Sequence, residues 1–187
     1  KIVVGPTGDP WFFHKECFSN GCTGTVDVSY PASPFFALLS PVLLKGMTAP
    51  VFDFAASDDW KWPFAPHDVG RYPKANGQVY NRDKLEGQMP VEECGNMILM
   101  AALAARAEGS AAFAEKHWEL LTQWAEYLKE KGLDPENQLC TDDFAGHLAH
   151  NTNLSLKAIN ALGAYAMLCD MLGKPEAAAY RDTARQM

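Results

Sequence analysis

Most of the residues that could do chemistry fall in four short segments: 25–31 with Asp27, 64–73 with His67, Asp68, Arg71 and Tyr72, 89–96 with Glu92, Glu93 and Asn96, and 140–147 with Asp142, Asp143 and His147. Two carboxyl groups brought together can divide acid and base work, because burial or a neighbouring negative charge raises one pKa while the other stays ionised and activates water. Asp68, Glu92, Glu93, Asp142 and Asp143 are the candidate catalytic carboxyls on that logic. Each also has a plainer role: Glu92 and Glu93 suit a helix first turn, where the dipole favours negative charge, and Asp142 or Asp143 could cap a turn. Around them, Asp27, His67, Arg71, Tyr72, Asn96, His147 and Asn153 are candidate substrate contacts, with Arg71 able to grip a carboxylate through two parallel hydrogen bonds. Tyr72, Tyr80, Trp60 and Trp62 could wall a small polar ligand.

Other chemistries are weaker. His67, His147 and His150 do not form an i, i+4 ligand pair, so no metal and no cofactor is assigned. Cys17 and Cys22 are spaced more widely than CxxC and no second ligand pair follows; five cysteines cannot all pair within one chain. A GxSxG nucleophile elbow is absent from the sequence, and Thr141 and Cys140 are nucleophiles only in the general sense.

Segments so far apart can act together only if the elements between them converge. Residues 90–108 read as a helix: Pro90 suits the first helical position, Glu92 and Glu93 the first turn, and Gly109 the stop. Ser110 can cap a second helix that runs to Lys131 before Gly132. The short Gly-Ser connection makes the two an antiparallel hairpin. Asn153 can cap a third helix that stops near Gly173, and Pro175 starts a fourth. Gly109, Ala114 and Asn96 fall on Gly173, Ala178 and Asn160 at one shift of 64 residues, a weak repeat in identity but a clear one in architecture. Within the first pair, 97–105 is apolar nearly all round, which marks an inner helix. Its partner carries Lys116, Glu119, Gln123, Glu126 and Glu130 on one wet face, which marks an outer one. Inner and outer helices in alternation describe a ring or solenoid of helical hairpins, and in a ring the inner helices run parallel, so their N-terminal ends share one mouth.

Upstream, residues 1–40 read as a loop and strand entry, with Thr25–Tyr30 alternating polar and apolar like a half-buried strand. A helix is expected from Val42 to Ala56 through Pro41, with Gly46 and Pro50 able to kink or shorten it. Residues 41–187 are then hairpins joined by long connections, 58–89 and 132–151, that carry the candidate site. The chain has 187 residues, 48% of them hydrophobic and 21% charged, an ordinary globular composition. Its net charge of −7 offers no basic stripe for nucleic acid, and no apolar run is long enough to span a bilayer.

The runs HDVGRYP, MPVEECGNM and CTDDFAGHLAHNTNLSLKAI resemble signature stretches of the glutaminase A family, and the likeness extends from about Phe18 to Met187. The resemblance implies an all-α toroid of six helical hairpins, hydrolysis of L-glutamine to glutamate and ammonia, and a secreted, periplasmic or cell-envelope location. It carries no catalytic assignment over to individual residues. On this reading the chain supplies about two and a half hairpins, a partial ring whose exposed inner flanks favour self-association. A glycoside hydrolase working on a saccharide through the same carboxyls, or a non-catalytic binding scaffold, are the alternatives.

Overall fold

The computed structural model describes residues 1–16, 20–141 and 146–187, so Asp142, Asp143 and Cys17 lie outside the described residues. The architecture is all-α apart from one small sheet. Strands β1 (Ile2–Val4) and β2 (Pro10–Phe12) pair antiparallel, with Ile2 opposite Phe12 and Val4 opposite Pro10. Helices α1 (Val26–Leu39) and α2 (Pro41–Ala55) form the first hairpin. The second is α3 (Pro90–Glu108) with α4 (Ala112–Lys116) and α5 (Trp118–Lys131), and the third is α6 (Thr152–Met171) with α7 (Ala177–Gln186).

The largest departure from the sequence reading is Thr25–Tyr30, which is the first turn of α1 and not a strand. The buried positions Val26, Ser29 and Ser33 recur at helical spacing, so packing against α3 overrides the polar–apolar alternation. Pro31 and Pro34 sit inside this helix and lack N–H donors; the Ser33 hydroxyl donates instead to the Tyr30 carbonyl at 2.6 Å. The described chain therefore holds three hairpins where two and a half were expected. In α2, Gly46 does not shorten the helix. It lets the β2 backbone come close, since a Cβ there would stand 2.7 Å from the Pro10 carbonyl oxygen.

Helix α3 is the hub, buried from Pro90 to Ala105 on almost every side between α1, α2, α5 and α6. It stops at Gly109 in a left-handed conformation, as expected. The outer helix of this hairpin is broken at His117 into α4 and α5. Its wet face is the stripe foreseen: Lys116, Glu119, Gln123, Glu126 and Glu130 are all exposed, and Leu121, Trp124 and Leu128 are fully buried opposite. The side chain that caps α6 is Asn151, accepting from the backbone N–H groups of Asn153 and Leu154, so Asn153 is the capped residue and not the cap. Helix α6 is less uniformly buried than its composition suggested; Leu156 is 54% exposed. No described helix is long and apolar enough to cross a membrane. Cys22, Cys94, Cys140 and Cys169 are buried, and no disulfide joins them among the described residues.

Candidate active site

The three inner helices, α1, α3 and α6, run in the same direction, and their N-terminal ends meet. The first turn of α3 supplies Glu92 and Glu93, both with no exposed surface. Asn96, one turn on, donates its amide to Glu92 Oε1 at 3.0 Å and Glu93 Oε2 at 3.1 Å, tying the two carboxyls together. From α6 comes Lys157, whose ammonium donates to Glu92 Oε1 and, at 2.8 Å, to Asn96 Oδ1. Thr141, from the loop before α6, donates its hydroxyl to the same Glu92 oxygen. Gly95 makes the Lys157 bridge fit: a Cβ at that position would lie 2.6 Å from Lys157 Cγ. A glycine inside a helix costs about 1 kcal/mol relative to alanine, and here it opens a lane for the lysine stem.

Asp27, in the first turn of α1, faces His67 from the long loop after α2, with Oδ1 3.6 Å from Nε2. The other ring nitrogen, Nδ1, lies 2.9 Å from Asp68 Oδ2. Asp68 is fully buried and accepts from the backbone N–H groups of Gly70 at 2.9 Å and Val79 at 3.1 Å. It stands behind His67 and orients the ring rather than facing the cavity. Above these groups opens a cavity of about 460 Å³, lined by Asp27, His67, Tyr80, Thr141 and His147 with the amides of Asn20, Gln78 and Asn81.

The electrostatics are unbalanced. Burial raises the Glu93 pKa well above the usual carboxyl range, the charges of Asp27 and Glu92 push the same way, and the Asn96 bond and Lys157 only partly offset them. Burial also raises Asp27, against the pull of His67. For His67 burial acts downward, but the bond to Asp68 and the charge of Asp27 together hold the imidazole above its ordinary value. Asp27 Oδ1, Glu92 Oε2 and Glu93 Oε1 are buried oxygens without a hydrogen-bond partner among the described residues, an arrangement that costs about 1–3 kcal/mol per group unless something fills it.

Of the residues singled out in the sequence, Asp27, His67, Asp68, Glu92, Glu93, Asn96 and His147 come together here. Arg71 does not. It is exposed, its backbone bridges to Cys22, and it is not among the residues lining the cavity. Tyr72 is 52% exposed and Asn153 also faces outward, neither lining the cavity. Of the four aromatics, Tyr80 reaches the cavity, whereas Trp60 is core and Trp62 donates to the Arg82 carbonyl. Asp142 and Asp143 lie outside the described residues. Sequence reasoning missed Lys157, although a single lysine in an otherwise apolar inner helix was the signal for it.

The described residues thus form a succession of helical hairpins whose inner helices gather carboxyl groups at their N-terminal ends. The family model described as the glutaminase A six helical-hairpin domain matches residues 1–187, and the chain belongs to that family. It is 39% identical over 175 residues to glutaminase A of Aspergillus oryzae, covering 93% of this chain and 25% of that protein. It is 31% identical over 229 aligned positions to a probable glutaminase of Arthroderma benhamiae, covering 92% of this chain and 26% of that one. The chain thus spans about a quarter of the length of these relatives, whose names support a glutaminase-like hydrolase.

Proposed function

We propose that this mouth hydrolyses the side-chain amide of L-glutamine, giving glutamate and ammonia. The observation that carries the reading is the meeting of Asp27, His67 and Glu93, from two helix N-termini and a loop, beneath a cavity sized for a small polar molecule. Water is the nucleophile. Cys140 in the cavity lining is buried and accepts from the Asn151 amide, burial pushes the Cys22 thiol up to about 12 and Cys94 higher still, and the Thr141 hydroxyl is committed to Glu92. Asp27 stands on the cavity wall, placed to take the water proton on a carboxylate oxygen, with His67 beside it. The water oxygen bonds to the amide carbon, the carbon–nitrogen bond breaks, and the nitrogen leaves as ammonia with that proton. With Arg71 outside, Tyr80, Asn81 and His147 are the lining residues offered to the α-carboxylate.

That absence of an arginine also favours a second reading, cleavage of a glycoside. The ligand atoms of Asp27, His67 and Glu93 lie within 4.8 Å of one another, nearer to the roughly 5–5.5 Å carboxyl gap of retaining glycosidases than to the roughly 6.5–9.5 Å of inverting ones. Ammonia release from L-glutamine by the intact protein, measured beside cleavage of a panel of aryl glycosides, separates the two. Ammonia release that disappears in Glu93→Gln supports the amidohydrolase. Glycoside cleavage without ammonia overturns it.

A further inference from the structure

We infer that Asp27, His67 and Glu93 form a binding site for a divalent cation of the zinc class, a role that deepens the active-site reading above and rests on it. One ligand atom from each residue falls in a cluster no wider than 4.8 Å, and the Asp27 Oδ1 to His67 Nε2 edge is 3.6 Å. Ligand bonds of about 2.0–2.1 Å in a tetrahedron put neighbouring ligand atoms about 3.3 Å apart, so one edge is nearly set and the third ligand has a short distance to close.

Four further observations point to a cation rather than to a tight cluster of side chains. Glu93 is fully buried, and its Oε1 finds no hydrogen-bond partner among the described residues, while its Oε2 is taken by Asn96. Asp27 Oδ1 is likewise without a hydrogen bond and meets only the longer His67 contact. His67 is oriented as a ligand histidine is: its Nδ1 is fixed by a buried carboxylate that two backbone N–H groups hold, which leaves Nε2 to the site. Of the carboxyls of Asp27, Asp68, Glu92 and Glu93, the ammonium of Lys157 lies on Glu92, while Asp27 and Asp68 flank the His67 ring and Glu93 is bonded by the Asn96 amide. A dication beside Glu93 would supply the positive charge that this side of the cluster lacks.

The ligand set of one imidazole and two carboxylates suits zinc and its first-row neighbours, and three protein ligands leave a coordination position for water on the cavity side, where Asp27 and His67 line the wall. Glu92 is not a ligand in this arrangement. Lys157, Thr141 and Asn96 occupy its Oε1, its unpartnered Oε2 is not part of the cluster that Asp27, His67 and Glu93 form, and it anchors the first turn of α3 from which Glu93 projects.

The test uses the intact protein, stripped with a chelator, dialysed and titrated with Co²⁺ and separately with Zn²⁺. The expected result is one equivalent bound, visible Co²⁺ absorption bands of a low-coordinate site, and displacement of Co²⁺ by Zn²⁺. Glu93→Gln and His67→Gln should abolish both the stoichiometric binding and the bands while circular dichroism stays native. Asp68→Asn should weaken binding by about 10–100-fold. His150→Gln, on an exposed residue paired with Asp134, should bind as the wild type does. Absence of stoichiometric binding, or equal binding in Glu93→Gln and His67→Gln, overturns the site. Metal binding without ammonia release would leave the cation site standing and remove the glutamine reading. Undiminished ammonia release by the metal-free protein would do the reverse.

Discussion

Two cavities lie along the inner helices, one built mostly by loops at their N-terminal ends and one by the helices themselves. At the N-terminal ends lies the mouth of about 460 Å³ over Asp27, His67 and the buried glutamates. Farther along the same helices lies a groove of about 530 Å³ lined by Tyr30, Pro34, Leu99, Leu103, Gly163 and Met167. The larger space is mostly apolar, with Arg106 at its edge and no carboxyl in its lining; the smaller one is lined by Asp27, whose unpartnered oxygen sits beside the buried Glu93. Chemistry is therefore marked by unsatisfied polar groups and not by volume. Lys157 divides the two regions, with its ammonium on Glu92 and 4.6 Å from the centre of the Tyr30 ring that lines the groove. The mouth also shows which force dominates at a helix start: the dipole of α3 favours a charged Glu93, yet burial among like charges wins and raises its pKa.

The strongest way to break this contrast is to exchange one atom in each region. Glu93→Gln should lower the rate of ammonia release by about 10²–10⁴-fold, measured on the intact protein, with the fold preserved. Leu103→Asn, in the groove, should leave the rate within a factor of about 3, because no carboxyl or imidazole lines the groove. A reversed pattern would move the active site into the groove. Stability should separate the regions as well. Lys157→Met strips the partner from a fully buried Glu92 and should cost about 3–5 kcal/mol in urea unfolding. Met167→Ala, at a half-buried groove position, should cost about 1 kcal/mol or less. Equal losses would show that Lys157 is not the keystone of the mouth.

How much of this was legible in the sequence follows from what each signal encodes. Pro90, the paired glutamates and Gly109 marked α3 to the residue, because caps and punctuation are local chemistry. The convergence of inner-helix N-termini was legible from topology for α3 and α6, and it gathered Glu92, Glu93 and Asn96; the place of Asp27 in it was not, because its segment read as a strand. Thr25–Tyr30 misled because its alternation is real, but Ser29 and Thr25 are buried against the site and the true period is that of Val26, Ser29 and Ser33. Arg71 misled for the opposite reason. It sits in the same short run as His67, but its backbone pairs with Cys22 and its side chain faces outward, and loop direction is not written in composition. The repeat aligned Asn96 with Asn160, yet one is buried between carboxyls and the other is exposed.

Gly95→Ala sharpens the comparison at the point where the two regions meet. Taken alone, alanine should stabilise the helix by about 1 kcal/mol. Its methyl would stand 2.6 Å from Lys157 Cγ, so the lysine stem must move off its lane toward Glu92. The expected outcome is near-cancellation in stability, within about 1 kcal/mol of wild type, together with a clear loss of ammonia release. A more stable and fully active Gly95→Ala protein would show that the Lys157 bridge is dispensable to the mouth.

The smallest expected effect lies in neither cavity, and it is needed to read acid profiles of the mouth correctly. His117, at the break between α4 and α5, stacks on the buried Phe52 ring with centroids 4.1 Å apart and planes 6° from parallel. Burial, helped by the charge of Lys116, lowers its pKa to about 4. The unfolded chain, with an ordinary imidazole near 6.5, takes up a proton first as the pH falls. Stability linked to His117 is therefore complete above about pH 6.5, declines between there and about pH 4, and levels off below. Replacing it with phenylalanine keeps the stack and removes the titration. Thermal unfolding of His117→Phe should then vary less with pH across that window than the wild type does, while the pH dependence of ammonia release, set at the mouth, stays unchanged. If both profiles shift together, acid inactivation is unfolding of the outer layer, and pH profiles of the wild type carry no information about Asp27, His67 or Glu93.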